Sequence, residues 1–147
     1  MFRKVLAVDP RDAGTLNYLG YMLADRGVRL EEAVGLIKRA VQEEPQNYAY
    51  LDSLGWAYFK MGNYEMAEEM LHKAMDHNSS DPTVHDHMGE VYAKTGRLKL
   101  AAAQWERALE EWNRSLPADV ESNDVARVQK QLESTKVKIA KQQETKD

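Results

Sequence analysis

Apolar positions along the chain recur at helical spacing, and the pattern then recurs as a block. Leu51, Leu54, Gly55 and Tyr58 lie at i, i+3, i+4 and i+7, which places them on one stripe of a helix. Ala67, Leu71 and Ala74 form a second stripe at i, i+4 and i+7. Between them stands Gly62-Asn63, a pair that ends a helix and favours a left-handed turn. The pattern predicts a helix A, a tight turn and a helix B.

The same block appears three times. Leu16 to Leu23, Leu51 to Tyr58 and His85 to Tyr92 align, with glycines at 20, 55 and 89. The period is therefore 35 and then 34 residues. Each block continues to a second Gly (Gly27, Gly62, Gly96) and an Ala (Ala33, Ala67, Ala101). A bulky apolar residue (Ile37, Leu71, Trp105) and a second Ala (Ala40, Ala74, Ala108) follow. The first turn, Arg26 to Leu30, carries one extra residue. Gly inside a helix costs about 1 kcal/mol relative to Ala, so its return at one phase predicts close backbone approach there.

This pattern resembles the tetratricopeptide repeat, W-x2-L-G-x2-Y…A-x3-F…A…P at a period of about 34 residues. The resemblance covers Ala13 to about Asn113. Leu16, Leu51 and His85 stand where the family has Trp, and Leu23 where it has Tyr. The closing Pro is Pro45 in the first repeat but Ser79 in the second, with Pro82 three residues on, at a first-turn position where Pro is tolerated. The resemblance implies an all-α fold, a right-handed α-solenoid with repeats at 13–46, 48–81 and 82–115. It also implies that the A helices line a concave groove that binds an extended peptide or a helix of another protein. By phase, the groove residues are Asn17, Tyr21, Asp25, Asp52, Trp56, Phe59, Lys60, Asp86, His87, Glu90, Ala93 and Lys94. Trp56 and Tyr21 follow the packing Gly, off the apolar stripe, and are the expected anchors; the alternative is packing between neighbouring A helices. The repeat style looks like arrays common in bacterial tetratricopeptide proteins.

The two ends differ. Asp9-Pro10 precedes Gly20 by the spacing at which Glu44-Pro45 precedes Gly55. Residues 1–10 therefore read as the second helix of a truncated preceding repeat, so the chain is cut from a longer protein or begins with an unusual half-repeat. Val5, Leu6 and Val8 would then lack one side of their packing, an edge that favours self-association. Residues 116–147 read as a loop, a C-terminal capping helix with Val125, Val128, Leu132 and Ile139 near one face, and a frayed Lys-rich tail. A short coiled-coil dimer is the rival for that helix.

Charge gives the groove a direction. The 147 residues hold 20 Lys and Arg against 24 Asp and Glu, a net charge of −4, which excludes a strongly basic nucleic-acid binder. Between Glu43 and Glu90 there are ten acidic residues and only Lys60 and Lys73. Much of that excess is a solvated convex face (Glu65, Glu68, Glu69), but Asp52, Asp86 and Glu90 fall on the groove side. They favour a basic or basic–apolar partner segment. Chaperone-tail-binding members of the family clamp a C-terminal carboxylate with Lys, Arg and Asn on A helices, and no such clamp is visible here.

Other chemistries find no support. The chain has no Cys, which excludes disulfide scaffolds and thiolate metal sites. His85 and His87 diverge on a helix, as do His72 and His77, and none has the i, i+4 spacing of a helical metal site. His85 replaces an apolar stripe residue and reads as packing. No phosphate loop, nucleophile elbow or nucleophile–base pair occurs, so neither an enzyme nor a cofactor is expected. No apolar run is long enough for membrane insertion, and Met1–Val8 does not read as a signal peptide, having no apolar h-region. Cytoplasm is slightly favoured and periplasm is compatible. The expected function is a protein-interaction module; the alternative is a structural spacer or self-association segment without a free-peptide ligand.

Overall fold

A computed structural model of the protein describes residues 12–115, 120 and 122–146. The half-repeat expected over residues 1–10, with its edge at Leu6 and Val8, lies outside the described residues, as do residues 116–119 of the C-terminal loop. Every regular element among the described residues is an α-helix: α1 (Ala13–Asp25), α2 (Leu30–Glu43), α3 (Tyr48–Lys60), α4 (Tyr64–His77), α5 (Pro82–Lys94), α6 (Leu98–Arg114) and α7 (Ser122–Lys146). The chain divides into two compact units, Met1–Ser79 with α1 to α4 and Ser80–Asp147 with α5 to α7.

The turns form where the glycines predict them. Gly27, Gly62 and Gly96 have φ of 70°, 84° and 78°, the left-handed region in which a side chain is costly. After α3, the Gly62 N–H donates to the Phe59 carbonyl at 2.9 Å and the Asn63 N–H to the Tyr58 carbonyl at 2.9 Å. That paired closure satisfies two carbonyls that the helix end leaves open. The same closure ends α1 and α5. Asn63 then caps α4, its side chain accepting from the Met66 N–H at 3.2 Å. The extra residue of the first turn has a cost: Arg29 takes φ 49° without being Gly, and it caps α2 with no side-chain hydrogen bond.

The first unit packs α1 on α2, α3 on α4, and α3 on both α1 and α2. Its core holds Leu16, Ile37, Leu51, Leu54 and Leu71, each buried. Burying such a side chain contributes about 1.5–3 kcal/mol. Gly55 is the contact point of α3 with α4. A Cβ there would stand 2.7 Å from Leu71 Cγ and 3.2 Å from the Ala67 carbonyl oxygen.

The second unit packs α6 between α5 and α7. Pro82 opens α5 at its first turn, and Asp81 caps it by accepting from the Thr83 and Val84 N–H groups. Val84, Met88, Val91, Trp105, Val128 and Leu132 are buried. Gly89 admits Trp105, whose Nε1 lies 2.5 Å from where a Gly89 Cβ would be. The helix predicted over the C-terminal segment is α7: Val128 and Leu132 are buried, and Val125 and Ile139 are half-buried.

Candidate functional site

The candidate interaction surface consists of one face in each unit. In the first unit, α1 and α3 lie side by side. The i, i+4 spacing of Asn17, Tyr21 and Asp25 sets those three on one face of α1. Asp52, Trp56, Phe59 and Lys60 repeat the phase on α3. Trp56 and Phe59 stack, with ring centroids 4.9 Å apart and planes 11° from parallel. Lys60 Nζ stands 5.2 Å from the Trp56 ring centroid, a cation over the negative face of the indole. The Trp56 Nε1–H donates to Asp25 Oδ1 at 3.3 Å, which ties α3 to the end of α1. Both rings remain partly exposed, and Tyr64 tilts against Phe59 at 5.6 Å. Tyr21 is half-buried, as is Asn17, whose buried Oδ1 accepts no hydrogen bond. Asp52, read from the sequence as a groove carboxylate, is instead buried at 8% exposure.

In the second unit the phase of α5 holds, but its face is covered. Asp86 and His87, expected to face a partner, are 4% and 5% exposed. The cause at Asp86 is internal pairing. Its Oδ1 accepts from the Trp105 Nε1–H at 3.1 Å, and both its oxygens accept from Arg127 of α7. Glu90 Oε1 accepts from Arg127 Nη1 at 3.1 Å and from the Gln131 amide at 2.8 Å. Burial pulls the Arg127 guanidinium down, but the hydrogen bond and charge of Asp86, with the charges of Glu90 and Asp124, outweigh it and hold it above its ordinary range. The basic ligand that the sequence assigned to these carboxylates is thus supplied, on α5, by the chain's own α7. Arg127 stands 41 residues from Asp86, and no local pattern links them. Lys94 and Glu90 line a cleft against α7, and Lys94 is exposed.

His85 is buried, with its Nδ1 2.7 Å from Gln104 Oε1. Among the described residues no group of three or more His, Asp or Glu side chains is placed to hold a metal ion. Also among them, no helix is long and apolar enough to cross a membrane.

Comparison with known proteins gives a consistent likeness. Tetratricopeptide repeat family models match residues 29–91 and 1–48. A repeat-containing protein of Pseudomonas aeruginosa is 42% identical over 88 residues, covering 60% of this chain and 15% of its own length. A Clostridium acetobutylicum sol locus transcriptional repressor is 38% identical over 58 residues, covering 40% of this chain and 18% of its own. The chain spans less than a fifth of either relative. Among solved structures, PcrH in complex with the chaperone binding region of PopD matches with a TM-score of 0.74 at 20% identity, over 85% of this chain and 91% of that one. The Sgt2 repeat domain from Aspergillus fumigatus matches with a TM-score of 0.75 at 22% identity, over 90% and 82% of the two chains. These two likenesses are of fold.

Proposed function

Because this chain belongs to the tetratricopeptide repeat family, we propose that it is a protein-interaction module that takes a helix or extended segment of a partner on the face made by α1 and α3. The observation that carries this reading is the half-exposed Trp56–Phe59 stack, flanked by Lys60 and Asp25. Large aromatic rings outside a core supply much contact area at low conformational cost, which is why they dominate binding energy. The reading is supported by PcrH, of similar fold, whose structure holds the chaperone binding region of PopD. Exposed Asp25, beside the ring stack, favours an occupant with apolar residues and a basic flank.

The test is capture from a lysate of the source cells by the immobilised chain, beside the double variant Trp56→Ala, Phe59→Ala, read by mass spectrometry. Both positions are partly exposed, so the variant should keep its helical circular dichroism. Proteins retained by the wild type and lost from the variant are the expected result. Identical sets from both would instead favour the spacer role.

A further inference from the structure

The outer side of α1 exposes large apolar side chains at positions that the later repeats bury. Tyr18 is 47% exposed and Met22 38%. By repeat phase their equivalents are Ser53 and Ala57 on α3, and His87 and Val91 on α5. Ser53 and His87 are 5% exposed, and the buried Ala57 and Val91 0%. Leu19, between Tyr18 and Met22, is half-buried, whereas its equivalents Leu54 and Met88 are buried. Helix α3 has α1 and α2 packed on it in addition to α4. Among the described residues no helix precedes α1 to do the same.

Charge and size together indicate what covers this stripe. No charged residue stands between Asp12 and Asp25, so α1 has no charged face over that stretch. A helix of that kind is ordinarily covered. Tyr18 and Met22 are larger than Ser53 and Ala57, so a neighbour packed on α1 as closely as α1 packs on α3 would be overpacked. The cover must therefore offer a recess, and α1 itself has one. Gly14, one turn before Tyr18, is exposed, and among the described residues a Cβ there would meet only the Tyr50 hydroxyl, at 3.7 Å. Gly14, Tyr18 and Met22 are spaced by four along one side of the helix. If two such helices run antiparallel about Tyr18, Gly14 of each stands opposite Met22 of the other. Tyr18 then lies against its own copy. A patch that fits itself in this way is what a two-fold interface requires, and two uncharged faces meet without like-charge repulsion.

We propose that α1 is a self-association surface, pairing antiparallel with α1 of a second copy of this chain through Gly14, Tyr18 and Met22. The stripe is turned one residue round from Asn17 and Tyr21, and the proposal does not rest on partner binding at the α1–α3 face. One helix from each copy supplies less than the total of about 1,200 Å² that stable interfaces bury, so the dimer is weak and depends on concentration.

Sedimentation velocity of the full chain over about 5–500 µM tests it, the range in which an interface of this size associates. The expected result is a dimer whose fraction rises with concentration. Tyr18→Ser with Met22→Ala gives α1 the residues that α3 already carries, and should weaken the dimer at least about tenfold. Gly14→Gln fills the recess at an open position where Gln is the better helix former. It should weaken the dimer as well, without lowering the melting temperature. Because the chain has no Cys, Tyr18→Cys reports the register. Mild oxidation should link two copies through position 18 far faster than through the exposed position of Gln42→Cys on α2. A monomer over the whole range would overturn the proposal, and a lowered melting temperature of Tyr18→Ser, Met22→Ala would then point to the chain's own residues 1–10 as the cover. A dimer weakened by neither variant would also overturn it, because the contact would lie elsewhere.

Discussion

At Gly55 and Gly89 one repeat position meets two different neighbours. Leu71 opposite Gly55 is a flexible side chain that can withdraw, although the Ala67 carbonyl cannot. Trp105 opposite Gly89 is a buried ring held by its hydrogen bond to Asp86. Overpacking a fixed core typically costs about 1–3 kcal/mol, partly offset by about 1 kcal/mol of helix propensity when Gly becomes Ala. We expect Gly89→Ala to lower stability more than Gly55→Ala, by about 1–2 kcal/mol in thermal or urea melts. Equal effects would mean that Trp105 repacks freely. Arg29 offers the reverse case. A left-handed non-Gly residue costs about 1–2 kcal/mol, and its ion pair with Glu32 at 3.7 Å is exposed and worth little. Arg29→Gly should raise the melting temperature by about 2–4 °C. At this scale the sequence was informative: the recurring glycines marked both the turns and the helix contacts, and the extra residue in the first turn was visible as an insertion. That the insertion would push Arg29 to positive φ depends on backbone geometry, which spacing alone does not determine.

Among the elements, α7 departs most from its sequence reading. Its apolar stripe was legible and correctly predicted a helix on the last repeat, with Val128 and Leu132 buried. Its polar stripe, in which Arg127 and Gln131 are four residues apart, resembled an ordinary solvated face. Yet Arg127 reaches Asp86 and Glu90 on α5. Such a contact becomes visible only when the fold brings distant residues together, which is why Asp86 and His87 were read as open to a partner. Removing one member of a buried pair leaves the other charge uncompensated, at about 3–5 kcal/mol when both are buried. The Arg127 side chain is 42% exposed, so a smaller figure of about 1–3 kcal/mol, the cost of leaving the buried Asp86 acceptor unpaired, applies to Arg127→Met. Combining it with Asp86→Asn should restore part of the loss, because the stranded charge goes too. Urea unfolding of the four members of that cycle checks the coupling. Strict additivity would show that Arg127 and Asp86 act independently.

For the whole molecule, family membership was legible from three blocks in phase, while the covering of Asp86 and Glu90 by α7 was not. Trp56 stood out because a large aromatic off the apolar stripe needs another explanation than core packing. The structure gives it Phe59, Lys60 and Asp25 as neighbours. The lysines of the C-terminal segment carried no such mark, since isolated Lys residues on a long helix are the ordinary solvated case. Only the fold places Lys130 and Lys138 beside Lys94 along one cleft.

Hydrogen–deuterium exchange of the chain alone and in complex with its captured partner is the most direct test of the central claim. If the α1–α3 face is the binding surface, protection should increase over residues 17–25 and 52–60, around Tyr21, Trp56 and Phe59. It should do so in the wild type and not in the Trp56→Ala, Phe59→Ala variant mixed with the same partner. Protection confined to α2 and α4, with residues 17–25 and 52–60 exchanging as in the free chain, would contradict it.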